Sequence, residues 1–428
     1  MPRIRTARRV LLLAMAAGTA LATGALPAAG AGPAGAPADR PAALTTPVGG
    51  ISVRVTDEAG APLPGAVLSV PAPEGGRRTA TADADGVATL TDLPFYDRYD
   101  AEVAGPDGGY ATAHLAALRV AAGQVTEAAV RLVRAAQFHF RFADARSGAP
   151  ATARACVYYL ALDVHVLAPG ARSPHPAGCG APDGRGRLTV GGLAPGRYRF
   201  LVVPGAGGYG AQWVGAAAGT GDQDEARIHR GRADRRTTVR VRWDGAGTVG
   251  GRVWSADGWV RRGVIVSAAP QPATEGDGPL KARTDRYGVF RIAGLGPYRW
   301  KLQYTNTGSH ARAWSGGAAS RDRATPLEVR VGEVTSHDVH LPDGGMIMGT
   351  LTLADGGDPL DVAVTAVDAE TGDFASFRRF SDRLVVRNLP DRPVWLYFAR
   401  SGPASAVRYH EVLRVGPGET LEDIHVVL

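Results

Sequence analysis

His410 and Glu411 open the pattern H-E-x-x-H, in which two histidines one helical turn apart hold zinc and the glutamate acts as base. Arg414 stands where the second histidine must be, so that chemistry is excluded. Asp83-Ala84-Asp85-Gly86 begins like a calcium loop, but Pro94 occupies the position where the twelfth-residue carboxylate is needed. His337 and His340 sit in a strand-like run, where residues three apart point to opposite faces and cannot share a metal. His165 and His175 lie near Asp163, Cys156 and Cys179, which is a possible zinc donor set. The two cysteines, however, lack the close C-x2–4-C pairing of structural zinc sites. Glu225, Glu275 and Asp277 are the loop acids that could act as a glycosidase pair, which requires two carboxyls ~5–9 Å apart in a cleft. No G-x-S-x-G is present. The expectation is a chain with no catalytic residue, no metal and no cofactor.

Aromatic residues are the remaining candidates for binding. Trp213, Trp254, Trp259 and Trp314 stand at or near Gly-rich turns, where an exposed indole can stack on a sugar ring. The competing role is capping a sandwich core. Trp259, in SADGWVRRG, is the best platform, because the phrase reads as an exposed hairpin turn. Arg261-Arg262 and Arg230-Gly231-Arg232 could meet an anionic polymer, or serve as solvated edge charges that block strand pairing.

The elements that carry these residues follow from composition. The chain has 428 residues, enough for three or four domains of ~100 residues. Its 57 Gly and 30 Pro are well above average usage, yet there is no collagen period, and a 45% hydrophobic content argues against disorder. A turn-rich, all-β protein is expected.

Residues 1–31 read as an export signal: Arg3, Arg5, Arg8 and Arg9, then an apolar run from Val10 to Leu26, then Ala29-Gly30-Ala31 as a cleavage site. Arg8-Arg9-Val10-Leu11-Leu12 resembles a twin-arginine signal but lacks the Ser or Thr before the pair, so the general secretory route fits better. Cleavage after Ala31 removes the four leader arginines and lowers the net charge from +7 to +3, which leaves little to attract nucleic acid. Residues 32–47 are a Pro/Ala/Gly linker. The run ending at Leu428 offers no hydrophobic tail or sorting motif, so an extracellular protein free of the membrane is expected. An oxidising compartment favours a disulfide between Cys156 and Cys179.

An internal repeat then sets the fold. Asp83, Gly86 and Leu93 share the spacing D-x2-G-x6-L with Asp183, Gly186 and Leu193, and with Asp285, Gly288 and Leu295. A degraded fourth copy keeps Leu389-Pro390 but has Arg379 and Asp382 in place of Asp and Gly. Asp can bond its own backbone and Gly can take positive φ, so each phrase opens with a turn. The strand that follows alternates inward residues: Ala88 and Leu90, Leu188 and Val190, Phe290 and Ile292, Leu384 and Val386. The strand after Leu-Pro follows at once, which predicts a short-loop hairpin. Four β-sandwiches are expected, at 48–134, 135–244, 245–342 and 343–428, joined almost without linker into a semi-rigid rod.

The phrase from Thr284 to Pro297, T-D-x-x-G-x-F-x-I-x-x-L-x-P, resembles the carboxypeptidase regulatory-like domain, a transthyretin-type sandwich. That resemblance extends to Cna-B-like surface modules and to domains of carbohydrate-binding-like or starch-binding-like fold. Trp314-Ser315-Gly316-Gly317 with Ala324-Thr325-Pro326 is similar to a tail of secreted bacterial members, echoed by Trp213-Val214-Gly215. Four tandem, transthyretin-like or Ig-like antiparallel sandwiches are what the resemblance implies. Cna-B-like relatives often carry Lys–Asn isopeptide cross-links. Here only Lys281 and Lys301, and Asn306 and Asn388, exist, so tension-bearing pilus function is disfavoured.

The reading is therefore a secreted, non-catalytic binding or scaffold protein engaging a polysaccharide, a cell-wall polymer or another matrix component. One rival is a structural spacer or a rod that binds an extracellular protein. The other is an amylase-like polysaccharide hydrolase or its accessory.

Overall fold

The computed structural model describes residues 48–428, except 73–74, 164–173, 206–207, 234, 270–279, 306–307, 355, 357–361, 380–382 and 401–406. The leader, the linker, His165, Glu275, Asp277, Asn306 and Asp382 lie outside the described residues. Among those described, regular structure is all β apart from one short 3-10 turn at Pro106–Gly108. No helix among them is long and apolar enough to cross a membrane.

The strands form four successive pairs of facing sheets, with a further two-strand ladder of Arg299–Trp300 and Leu327–Glu328 in the third. In each pair the opening strand is central in its sheet, which has three strands in the first, second and fourth pairs and four in the third. It runs antiparallel to the strand after the D-x2-G turn and parallel to the closing strand. In the first pair Val48–Thr56 lies between Val87–Pro94 and Val125–Arg131. In the second Ala136–Asp144 lies between Arg187–Leu193 and Arg236–Trp243. In the third Gly247–Ser255 pairs with Val289–Leu295 and with Val334–Ser336 and Val339–Leu341. In the fourth Gly345–Thr352 lies between Leu384–Leu389 and Thr420–Val427. The sandwiches are thus mostly antiparallel, with one parallel pairing in the first, second and fourth and two in the third. Opening and closing strands that run the same way bring the chain in at one end of a sheet pair and out at the other.

The short-loop hairpin is corrected by the structure. Val87–Pro94 belongs to the three-strand sheet, whereas the next strand, Tyr96–Ala104, belongs to the facing sheet of Arg77–Thr81, Val67–Pro71 and Ala113–Val120. The Leu-Pro step is a corner between sheets. Two local causes act together. The residue before each Leu has a left-handed backbone: Asp92, Gly192, Gly294 and Asn388. It coincides with a register break against the opening strand in every pair. Proline after it cannot donate to a continuing ladder. An aromatic residue then closes the corner. Tyr99 Oη donates to the Pro94 carbonyl at 3.0 Å, Tyr198 to that of Ala194, and Trp300 Nε1 to that of Gly296 at 2.9 Å.

The D-x2-G turns form as their spacing requires. Asp83, Asp183 and Asp285 each accept backbone N–H bonds from the residues two and four positions on, at 2.8–3.0 Å. Gly288 has φ +73°, and a Cβ there would stand 2.8 Å from the Val253 carbonyl oxygen. Only glycine meets both conditions.

Each sheet pair buries its own alternating residues, such as Ile51, Val53, Ala88 and Leu90 in the first. The second pair departs from simple alternation. Phe200 and Val202 enter its own core, and Leu201 between them is also fully buried. Leu201, Leu160, Trp213 and Ala226 join the core of the third pair, with Val249, Phe290 and Trp300. That sheet is covered on both faces, which explains the uninterrupted run Phe200-Leu201-Val202-Val203. Cys156 and Cys179 form a disulfide between neighbouring strands of the same sheet.

Candidate functional site

The four tryptophans proposed as platforms separate sharply. Trp213 is 1% exposed and Trp314 3%, so neither can stack on a ligand. Trp213 is recruited into the core shared by the second and third sheet pairs, and Trp314 is buried beside Phe374 and Ala375 of the fourth. Their recurring spacing reflects packing. Trp254 is half-buried, with Arg252 over its ring at 5.3 Å and His340 stacked at 6.1 Å. Trp259 is 71% exposed.

Local bonding fixes the Trp259 hairpin. The Ser255 hydroxyl accepts the Trp259 N–H at 3.1 Å and donates to the Asp257 carboxylate. That donation and the surrounding turn N–H groups hold the Asp257 carboxyl below the usual carboxylate range. Ser255 N–H donates to the Trp259 carbonyl at 2.8 Å, and Gly258 takes positive φ at the tip. The indole is presented by a turn whose backbone groups are occupied.

The candidate metal and acid residues are dispersed. Among the described residues, no group of three His, Cys, Asp or Glu side chains could hold a metal. Asp163 pairs with Arg197 at 2.5 Å, while the His175 ring lies tilted against Tyr159 at 5.7 Å. His337 Nε2 accepts the Gly316 N–H at 3.3 Å, and His340 faces Trp254. Glu225 accepts the Thr220 hydroxyl at 2.7 Å. His410 and Glu411 are exposed neighbours. Lys301 and Asn388 lie at different junctions: Lys301 Nζ is 2.7 Å from Asp222, and the Asn388 amide donates to the His310 carbonyl at 2.9 Å.

Sequence reasoning missed a charged seam. Asp222 and Asp224 come from a loop of the second sheet pair, Lys301 and Arg321 from the third, and Asp373 from the fourth. Arg321 Nη1 is 2.6 Å from Asp224 and its Nε is 3.4 Å from Asp373. Arg199 reaches Asp224 at 2.9 Å. Burial pushes the Asp222 carboxyl up. The bonds from Lys301 and the Asp224 N–H, with the Arg321 charge, outweigh it and hold the group below its ordinary value. The run D-Q-D-E at 222–225 was the available signal, but its partners Arg199, Lys301 and Arg321 are 25 to 99 residues away along the chain and carry no local mark. Asn388 and Tyr298 were missed for the same reason: each fastens one sheet pair to the next.

Residues 50–133 match the family model of the carboxypeptidase regulatory-like domain. No curated protein matches the chain. Among solved structures the chain is similar to the Bacillus anthracis TIE protein, at 14% identity and a TM-score of 0.20, covering 69% of this chain and 51% of that one. The chain thus spans about half the length of that relative. It is similar to a streptococcal ancillary pilin, at 10% identity and TM-score 0.20, covering 68% and 98%. It is also similar to GBS52, the minor pilin of Streptococcus agalactiae, at 15% identity and TM-score 0.23, covering 49% and 96%. Likeness this distant transfers no residue's role. The matched span coincides with the first pair of facing sheets, and this part of the chain is similar to a carboxypeptidase regulatory-like domain.

Proposed function

We propose that the protein is an exported, non-catalytic scaffold made of four sandwich units, which holds a carbohydrate-binding surface at a fixed place in the wall or matrix. The core shared by the second and third sheet pairs carries the scaffold reading. Burying Leu201 and Trp213 between units makes bending there cost apolar contact, at ~25 cal/mol per Å² exposed. The Asp222–Lys301–Arg321–Asp373 seam adds orientation, because each charge would lose its partner if the units rotated apart. The acids of that loop are engaged in structure, which disfavours the hydrolase reading. The exposed Trp259 favours a sugar ligand over a bare spacer.

Small-angle scattering of residues 32–428 tests the scaffold. A single compact conformer is expected, with Arg321→Ala and Trp213→Ala broadening the distribution of dimensions. A wild-type ensemble as broad as that of flexibly linked beads would overturn it. A glycan-array screen beside a pull-down tests the ligand class, and capture of a protein with no polysaccharide retained would replace carbohydrate by an interaction role.

A further inference from the structure

The exposed apolar side chains of the third sheet pair form a connected surface. Val260 bridges to Trp254 and packs against Gly288, between the exposed Tyr287 and Val289. Val289 stands opposite Arg252, whose guanidinium covers Trp254. Trp259 precedes Val260 in its hairpin, and Tyr287, with Arg286 over its ring at 4.7 Å, precedes Gly288. Two exposed aromatic side chains, Trp259 and Tyr287, thus lie next in the chain to this pair of exposed valines and Gly288.

The rim is cationic. Arg252, Arg262, Arg286 and Arg291 are exposed and form no ion pair among the described residues. The nearby acids keep their charge and are outnumbered by the arginines, and each is held by hydrogen bonds within the fold. Asp285 accepts the turn N–H groups of Tyr287 and Val289, Asp257 accepts from Ser255, and Asp338 accepts the Arg252 N–H at 2.8 Å. The surface therefore combines aromatic rings, two exposed valines and guanidinium groups that form no ion pair among the described residues, two of them lying over rings.

We infer that this face of the third sheet pair, from Trp259 to Tyr287, binds a carboxylated polysaccharide, a chain containing uronic acid residues. The inference rests on the carbohydrate reading above and names its class. Pyranose C–H faces suit the indole, the phenol ring and the valines, and sugar carboxylates suit the guanidinium forks. An acidic peptide fits less well. Its backbone would need an open ladder, whereas the Trp259, Arg261 and Val289 N–H groups are all used internally. A nucleic acid would set its phosphates, which need a continuous basic track, against the exposed valines.

Affinity electrophoresis of residues 32–428 in gels containing polygalacturonate, alginate or hyaluronan tests this, with dextran, poly-L-glutamate and oligo-dT as comparators. Retardation by at least one polyuronate is expected, weakening with added salt. Trp259→Ala and Tyr287→Ala should each weaken it about tenfold, a change of ~1.4 kcal/mol. Both rings are exposed, and unchanged melting curves confirm the variants' folds. Equal retardation by dextran would overturn the acidic specificity while leaving the carbohydrate reading intact. Retardation by no polysaccharide would overturn both. Equal retardation by poly-L-glutamate or oligo-dT, or polyuronate binding untouched by either variant, would overturn the assigned surface.

Discussion

Tyr298 Oη donates to the Asp244 carboxylate at 2.7 Å and lies 3.0 Å from the Gln212 amide oxygen. Asp244 closes the second sheet pair and Tyr298 belongs to the third, so one hydroxyl fixes the point where the chain passes between them. Burial raises the pKa of Tyr298, and the hydrogen bond and charge of Asp244 raise it further.

That shift sets an alkaline prediction. An unfolded tyrosine ionises near pH 10, and the folded Tyr298 ionises only above that. Its contribution is intact below about pH 10 and is lost as pH rises further. Tyr298→Phe should cost about 1 kcal/mol at neutral pH, from the lost bond and a less well satisfied Asp244. It should also flatten the alkaline decline. Chemical denaturation at pH 7 and pH 11 checks both.

At the acid end His229 plays the opposite part. It is buried against Phe200, and burial, aided by the Arg227 charge, lowers its pKa to about 4. The unfolded histidine binds its proton near pH 6.5, so this stability is present above that pH and is lost as pH falls toward 4. The loss is on the order of 3 kcal/mol. His229→Phe should remove most of that part of the acid sensitivity, read from urea midpoints at pH 7 and pH 4.5.

Two glycines separate strain from collision. Gly258, φ +85°, has open space around its Cβ position, whereas Gly288 faces the Val253 carbonyl. Gly258→Ala should cost about 1 kcal/mol, from backbone strain alone. Gly288→Ala should cost about 2–3 kcal/mol, since the strand pair must also part. Melting temperatures that fall equally in the two variants would contradict this reading.

The Cys156–Cys179 bridge closes a 23-residue separation. In the chain-entropy model its loss costs about 3 kcal/mol. Cys156→Ala with Cys179→Ala should lower the melting temperature by a matching amount, and a reductant should lower that of the wild type but leave the double variant unchanged.

Much of the fold was legible because its causes are local. Asp285 and Gly288 make their turn with neighbours two to four residues away, and the alternation of Phe290 and Ile292 follows from the pleat. Each D-x2-G phrase therefore carries its own instructions wherever it occurs. Trp259 was legible as an exposed tip on the same grounds, since SADG makes its hairpin without distant help. The corner after each Leu was misread as a hairpin. The signal was present, in the Asp, Gly, Gly or Asn before each Leu, but its meaning depends on a second sheet lying across the core.

By itself the sequence determined the strands, their turns and the repeated all-β plan, because hydrogen bonding and side-chain alternation act over a few residues. Tertiary structure decided which tryptophans are buried and which acids meet which bases. Trp213 and Trp259 both stand beside glycine-rich turns. Only the packing of the third sheet pair over Leu201 covers one, while nothing among the described residues covers the other. Burial and ion pairing are set by contacts between segments far apart in the chain, and residue spacing does not encode those distances.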